Sequence, residues 1–112
     1  MAISNPKLEH YPFLKHMYSD AYFPDFLVDK GKQILVQLCE QLEAQAPTDA
    51  EGVYRLTHAA TEAFNALAEE FGEHDSEIET VAREAIAADI DAIVRANGFE
   101  LDVEELIAPR DW

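Results

Sequence analysis

Six apolar residues between positions 53 and 71 recur every three or four places along the chain. They are Val53, Leu56, Ala60, Phe64, Leu67 and Phe71. Residues with this spacing share one face of an α-helix, whereas the apolar residues of a strand alternate by two. The pattern therefore predicts a long helix with a seam of the coiled-coil type, ending at Gly72.

Two other segments carry the same helical periodicity. The segment from Pro24 or Asp25 to Gln45 has a wide apolar stripe and is predicted to be the central helix, contacted on more than one side. The segment from Ser76 to Asn97-Gly98 is predicted to be the fourth helix. Its expected inner face consists of Ile78, Val81, Ala82, Ala85, Ile86, Ala92, Ile93 and Ala96.

Short motifs predict where the third and fourth helices begin and end. Thr48 to Glu51 and Ser76 to Glu79 have the form of capping boxes, in which a hydroxyl and a glutamate side chain bond free amides of the first turn. Asn97-Gly98 is a strong stop signal, because both residues tolerate the left-handed conformation.

The two ends of the chain are predicted to be helical as well. Asn5-Pro6 predicts a first helix, bent at Pro12, that directs Leu8, Tyr11 and Leu14 inward. The stretch 102–108 predicts a short C-terminal helix. The chain is thus expected to be an all-α, single-domain bundle over residues 1–112, with four main helices plus a short C-terminal helix.

Gly31 lies in the middle of the apolar stripe of the central helix. A glycine there costs about 1 kcal/mol of helix stability relative to alanine. Either it lets another backbone approach closely, or it marks a break between a short turn and a longer helix. The sequence leaves both possibilities open.

Charge is distributed very unevenly. Residues 1–32 hold all four lysines against four acids, whereas residues 33–112 hold four arginines against nineteen acids and so carry the whole net charge of −15. Such a field repels nucleic acid and anionic membranes and favours cationic partners. The N-terminus has no apolar run of the kind a signal peptide needs, and no apolar stretch approaches the length of a membrane span. We therefore expect a soluble, cytoplasmic protein.

No motif for catalysis, cofactor binding or metal binding stands out, and the sequence leaves open whether the protein is an enzyme. His58 and Glu62 are four residues apart and can share a helix face, which could supply two metal ligands or a general base oriented by a carboxylate. The alternative is an exposed pair worth a few tenths of a kcal/mol. Cys39 is the single cysteine, with no neighbouring cation to activate it, and is expected to be a packed thiol.

Asp89 is the most anomalous position, because it falls at the centre of the expected inner face of the fourth helix. Three explanations compete: a partner such as Lys30, Lys32, or a Tyr or His of the N-terminal segment; a catalytic or metal-binding carboxylate; or a misplaced face. The aromatic-rich stretch from Tyr18 to Lys32 is likewise either core or interface, with core favoured. His10, His16 and His74 have no partner that the sequence identifies.

Four blocks of sequence resemble a family of small bacterial proteins classed as a domain of unknown function. The blocks are residues 22–32, 56–62, 75–80 and 110–112, and the resemblance covers nearly the full length. It implies a complete, stand-alone bacterial protein and no particular activity or functional residue.

These observations favour a non-enzymatic acidic interaction protein, acting as a homodimer through the helix-three seam or as a partner of a basic protein. The alternative is a metal-dependent or hydrolytic protein with a His/carboxylate site formed by His58 and Glu62, with Asp89 as a possible third member.

The charge excess also predicts how stability depends on pH. Folding brings the nineteen acids of residues 33–112 closer together, so their repulsion raises folded-state pKa values on average. Groups with a raised pKa favour folding at low pH, and this contribution fades as pH rises through the folded pKa. We expect a higher melting temperature near pH 5 than near pH 8 at low salt, and a smaller difference at about 0.5 M salt, where screening is strong. A melting temperature that rises from pH 5 to pH 8 at low salt would show that specific ion pairs dominate.

Overall fold

The computed structural model describes residues 3–112, so Met1 and Ala2 of the predicted domain lie outside the described residues. This part of the chain contains five helices and no strand, which confirms the all-α bundle. The helices are α1 (Lys15–Tyr18), α2 (Asp25–Gln45), α3 (Ala50–Glu73), α4 (Thr80–Ala96) and α5 (Val103–Leu106). No helix within residues 3–112 is both long and apolar enough to cross a bilayer.

The first of the four predicted main helices is reduced to one turn. Residues 6–10 form turns, and α1 has only four residues. Pro12 has no amide hydrogen and pushes the preceding residue out of helical geometry, so no helix runs through it. Residues 3–14, which we call the N-terminal segment, instead pack against α4 without forming a helix. Leu8 and Leu14 are buried as predicted.

Two predicted helix starts are shifted. α3 is capped by Asp49 rather than Thr48, because the Asp49 carboxylate accepts a hydrogen bond from the Gly52 amide (2.9 Å). α4 begins at Thr80 instead of at Ser76. The Ser76 hydroxyl donates to the Tyr22 carbonyl (2.9 Å) and is therefore not available to cap a helix. The predicted stop is confirmed, with Gly98 in the left-handed region at φ 90°.

The seam of α3 is covered by the chain itself. All six of its apolar residues are buried, and α2 and α5 pack against this helix. The Phe64 ring lies edge-on to Trp112, with the ring centroids 6.2 Å apart. The seam therefore leaves no apolar stripe for a second copy of the chain.

The inner face of α4 differs in part from the predicted one. Ile90 and Val94 are buried members of this face that the periodicity did not single out. Val81 was expected inside but is 46% exposed. It lies in the first turn of a helix that begins four residues later than predicted, where no other element covers it.

Gly31 lies within the unbroken helix α2 and is buried, which excludes the alternative of a break at this position. A Cβ atom at this position would lie 2.9 Å from Leu14 Cδ1 and 3.2 Å from Phe64 Cε1. Neighbouring atoms do approach Gly31 closely, but they belong to side chains and not to another backbone, as the other alternative had it. Gly31 lets the N-terminal segment and α3 both reach α2.

Two glycines provide a matched test of this packing. Gly31→Leu should lower the free energy of unfolding by about 1–3 kcal/mol, because it overfills a packed region. Gly72→Leu should raise it by up to about 1 kcal/mol, because no atom lies within 4 Å of the added Cβ and leucine is the better helix former. Urea denaturation measures both changes. Equal effects at the two positions would contradict close packing at Gly31.

Candidate functional site

Asp89 is a buried carboxylate on the inner face of α4, with 7% of its surface exposed. Its Oδ1 accepts a hydrogen bond from the Tyr11 hydroxyl (3.0 Å), and its Oδ2 accepts one from the Leu14 amide (2.7 Å). The predicted inward position is therefore correct, and the partner is a tyrosine of the N-terminal segment, one of the expected groups. Lys30, another expected partner, instead forms an ion pair with Glu70.

The Leu14 amide is available to Asp89 because of an unusual backbone conformation. Leu14 precedes α1 and has φ 57° and ψ 32°, in the left-handed region that costs an L-residue roughly 1–2 kcal/mol. This conformation turns the chain between Pro12 and α1 while the Leu14 side chain stays buried. The hydrogen bond to a carboxylate offsets the cost, since bonds to charged groups contribute about 1.5–3 kcal/mol.

The surroundings of Asp89 shift two pKa values. Burial raises the pKa of the Asp89 carboxyl, against the opposing effects of the Leu14 amide, the Tyr11 hydroxyl and the charge of His16. Burial, and then the charge and hydrogen bond of Asp89, raise the pKa of Tyr11 to about 12. No ion pair within residues 3–112 includes Asp89, and the two groups that donate hydrogen bonds to it are neutral.

His58 and Glu62 are not brought together as a site. His58 Nε2 lies 2.7 Å from the Glu105 carbonyl oxygen, which can only accept, so this nitrogen carries the proton and donates. The imidazole also stacks on Tyr54, with centroids 5.8 Å apart. Its contacts join α5 to α3. Glu62 is exposed, and no hydrogen bond or ion pair between it and His58 occurs in the described chain.

Within residues 3–112, no group of three or more His, Cys, Asp or Glu side chains has the arrangement of a metal site. Cys39 is buried in the core as predicted, and burial, followed by the charge of Glu43, raises the pKa of its thiol to about 12. A thiol with this pKa is not an activated nucleophile. Of the remaining histidines, His10 lies 3.5 Å from Glu9 on the surface, and His16 is exposed and close enough to Asp89 for its charge to act on that carboxyl.

Two aromatic rings of the stretch Tyr18 to Lys32 are exposed, although core was favoured for this stretch. Tyr22 is 42% and Phe26 51% exposed, while Phe23 between them is buried. Both exposed residues border the α3–α4 loop. Phe26 packs edge-on against His74, with centroids 5.0 Å apart, and the Tyr22 carbonyl is bonded by Ser76.

The α3–α4 loop surrounds these rings with negative charge. The Tyr22 pKa is raised, first by desolvation and then by the charges of Glu79 and Glu77. Segment 73–79 contains four exposed acids and no lysine or arginine. We call Tyr22, Phe26, His74 and the exposed acids Glu73, Asp75, Glu77 and Glu79 the acidic aromatic surface. The periodicity of the sequence could not reveal this surface, because the exposed aromatic residues fit the same helical spacing as the buried residues of α2.

One comparison with known proteins gives a match. The model of a family described as "Family of unknown function (DUF5713)" matches residues 7–112, so the chain belongs to that family. No curated protein and no solved structure matches the chain.

The raised pKa of Asp89 predicts a pH signature. The folded state binds this proton more tightly than the unfolded state, whose carboxyl has a pKa near its ordinary value of 3.8. The contribution of Asp89 to stability is therefore full below that value and is lost as pH rises through the folded pKa. As pH falls from 7 toward 4, the free energy of unfolding of the wild-type protein should therefore rise relative to that of Asp89→Asn.

Urea denaturation of both proteins at several pH values in this window measures the difference. If the wild-type protein instead loses stability relative to Asp89→Asn at acidic pH, the pKa of Asp89 is lowered, as it is in a carboxylate paired with a cation.

Proposed function

We propose that this member of the DUF5713 family is a non-enzymatic interaction protein that binds a basic protein through the acidic aromatic surface. The observation that carries the proposal is the exposure of two aromatic rings beside a loop whose charged groups are all acidic.

Exposed aromatic rings surrounded by acidic side chains are suited to bind cationic side chains of a partner protein. An arginine guanidinium can stack on an aromatic face and at the same time pair with a carboxylate, and arginine and aromatic residues are enriched at interfaces. Tyr22 and Phe26 would supply the stacking faces, and Glu77 and Glu79 the charges. The partner surface would therefore present arginine or lysine next to apolar groups.

The charge of the whole chain supports the same kind of partner. A net charge of −15 accelerates encounter with a cationic surface and disfavours anionic ones. The same charge makes two copies repel each other. Since the α3 seam is covered within the chain, the argument for a homodimer through that seam loses its basis.

The alternative of a His/carboxylate enzyme has less support. His58 holds the Glu105 carbonyl, and neither Glu62 nor Asp89 forms a hydrogen bond or ion pair with it in the described residues. The contacts of His58 are those of a residue that fixes the C-terminal helix.

Selection from a random dodecapeptide library at low salt tests the partner class. We expect enrichment of peptides with net positive charge that contain arginine or lysine beside an apolar residue. Their affinity should fall at least about tenfold for Tyr22→Ser/Phe26→Ser, the loss expected when aromatic anchors worth more than about 1 kcal/mol are removed. Both side chains are exposed, so the melting temperature should change little.

Two pairs of charge substitutions separate a specific surface from general attraction. Glu77→Gln/Glu79→Gln and Glu51→Gln/Glu62→Gln change the net charge equally, but only the first pair alters the acidic aromatic surface. The first pair should weaken peptide binding and reduce its salt dependence, and the second should have a much smaller effect. Equal losses from the two pairs, or selection of neutral or acidic peptides, would contradict the proposal.

A further inference from the structure

A cavity of about 170 Å³ lies between the N-terminal segment and α4, apart from the residues of the acidic aromatic surface. Its apolar walls include Pro12, Ala85 and Ala88. Pockets for drug-sized ligands are typically about 300–1,000 Å³, so this cavity suits a smaller molecule.

Asp89 gives the buried part of the cavity its negative charge. The carboxylate lines the cavity and uses two of its roughly four acceptor positions, both for neutral donors. Buried carboxylates are usually paired with a cation, and none of the ion pairs within residues 3–112 includes Asp89. The cavity therefore offers an acceptor that an ammonium group would complete.

The other charged groups that line the cavity are cationic or can become so. Lys15 and His16 both line it, and both are exposed, so they lie on its solvent side. Neither forms an ion pair within 4.0 Å in the described chain, and the charge of His16 acts on Asp89 from beyond that distance. The cavity thus carries a negative group inside, positive groups at the solvent side and apolar walls between them.

We propose that this cavity binds a small zwitterion of the α-amino acid class. The ammonium group would bond Asp89, the carboxylate would face Lys15 and His16, and a small apolar side chain would contact Ala85 and Ala88. This binding would be an additional property, independent of the proposed protein partner.

Titration of the full-length, isotope-labelled protein with glycine, L-alanine, L-serine and L-valine, followed by amide NMR, tests the proposal. We expect saturable shifts for at least one of them, centred on Leu14, Ala85 and Ala88. Isobutylamine and isovalerate are L-valine without its carboxylate and without its ammonium group, respectively. Each should bind at least about tenfold more weakly than L-valine or the best-bound amino acid, because each lacks one charged contact.

Variants keep the test independent of folding. Asp89→Asn should abolish binding, but it also alters the anchor of the N-terminal segment. Ala88→Leu fills the cavity from an exposed helix position without changing the carboxylate, and should also abolish binding. Ala66→Leu, at an exposed position of α3 away from the cavity, should bind as the wild type does.

Three results would overturn the proposal. One is the absence of saturable shifts for all four amino acids up to about 10 mM, above the millimolar affinities of weak ligands. The second is equal binding by Ala88→Leu and the wild type. The third is binding of isobutylamine or isovalerate as tightly as the best amino acid, which would show that only one of the two charges is recognised.

Discussion

Two hydrogen bonds to the Asp89 carboxylate hold the N-terminal segment against α4. The chain has only one helical turn before α2, so this segment cannot satisfy its backbone groups or bury its apolar residues alone. Asp89 accepts a hydrogen bond from the Leu14 amide, where the backbone is left-handed, and another from the hydroxyl of Tyr11, three residues earlier in the chain. A single buried side chain therefore contributes to both the path of the segment and its position on α4.

Other features of the fold follow from this anchored segment. With Leu14 held on α4, its side chain reaches the space above Gly31 of α2, so one residue joins two long helices. A third hydrogen bond, from Asn5 Nδ2 to the Ala96 carbonyl (2.8 Å), attaches the segment to the C-terminal end of α4. The segment crosses α4 without regular secondary structure and does not fill the space beside Asp89, which remains as the cavity. Lys15 and His16 lie at the edge of this cavity. The buried polar contact thus determines both packing and the chemistry of this surface.

The sequence predicted the features that depend on local periodicity and failed where long-range contacts decide. The bounds of α2, the seam of α3 and the stop at Gly98 were predictable, since each depends on residues close in sequence. The inward position of Asp89 and a tyrosine partner were also among the expectations. The start of α4 was not predictable, because the Ser76 hydroxyl bonds a carbonyl 54 positions earlier in the chain. Exposure of Tyr22 and Phe26 was missed for the same reason, since only tertiary packing decides which aromatics of a dense cluster stay outside.

Amide hydrogen exchange at Leu14 tests the central role of Asp89 most directly. An amide that is buried and bonded to Asp89 should exchange only when the segment detaches. Its protection in the wild type should therefore be far above that of exposed residues such as Ala21 and Glu100, whose amides donate no hydrogen bond within residues 3–112. In Asp89→Ala, protection should fall for Leu14 and for α1, while the amides in the centres of α2 and α3 keep theirs. Rapid exchange of the Leu14 amide in the wild type, or equal protection of this amide in both proteins, would show that the segment is held by something other than Asp89.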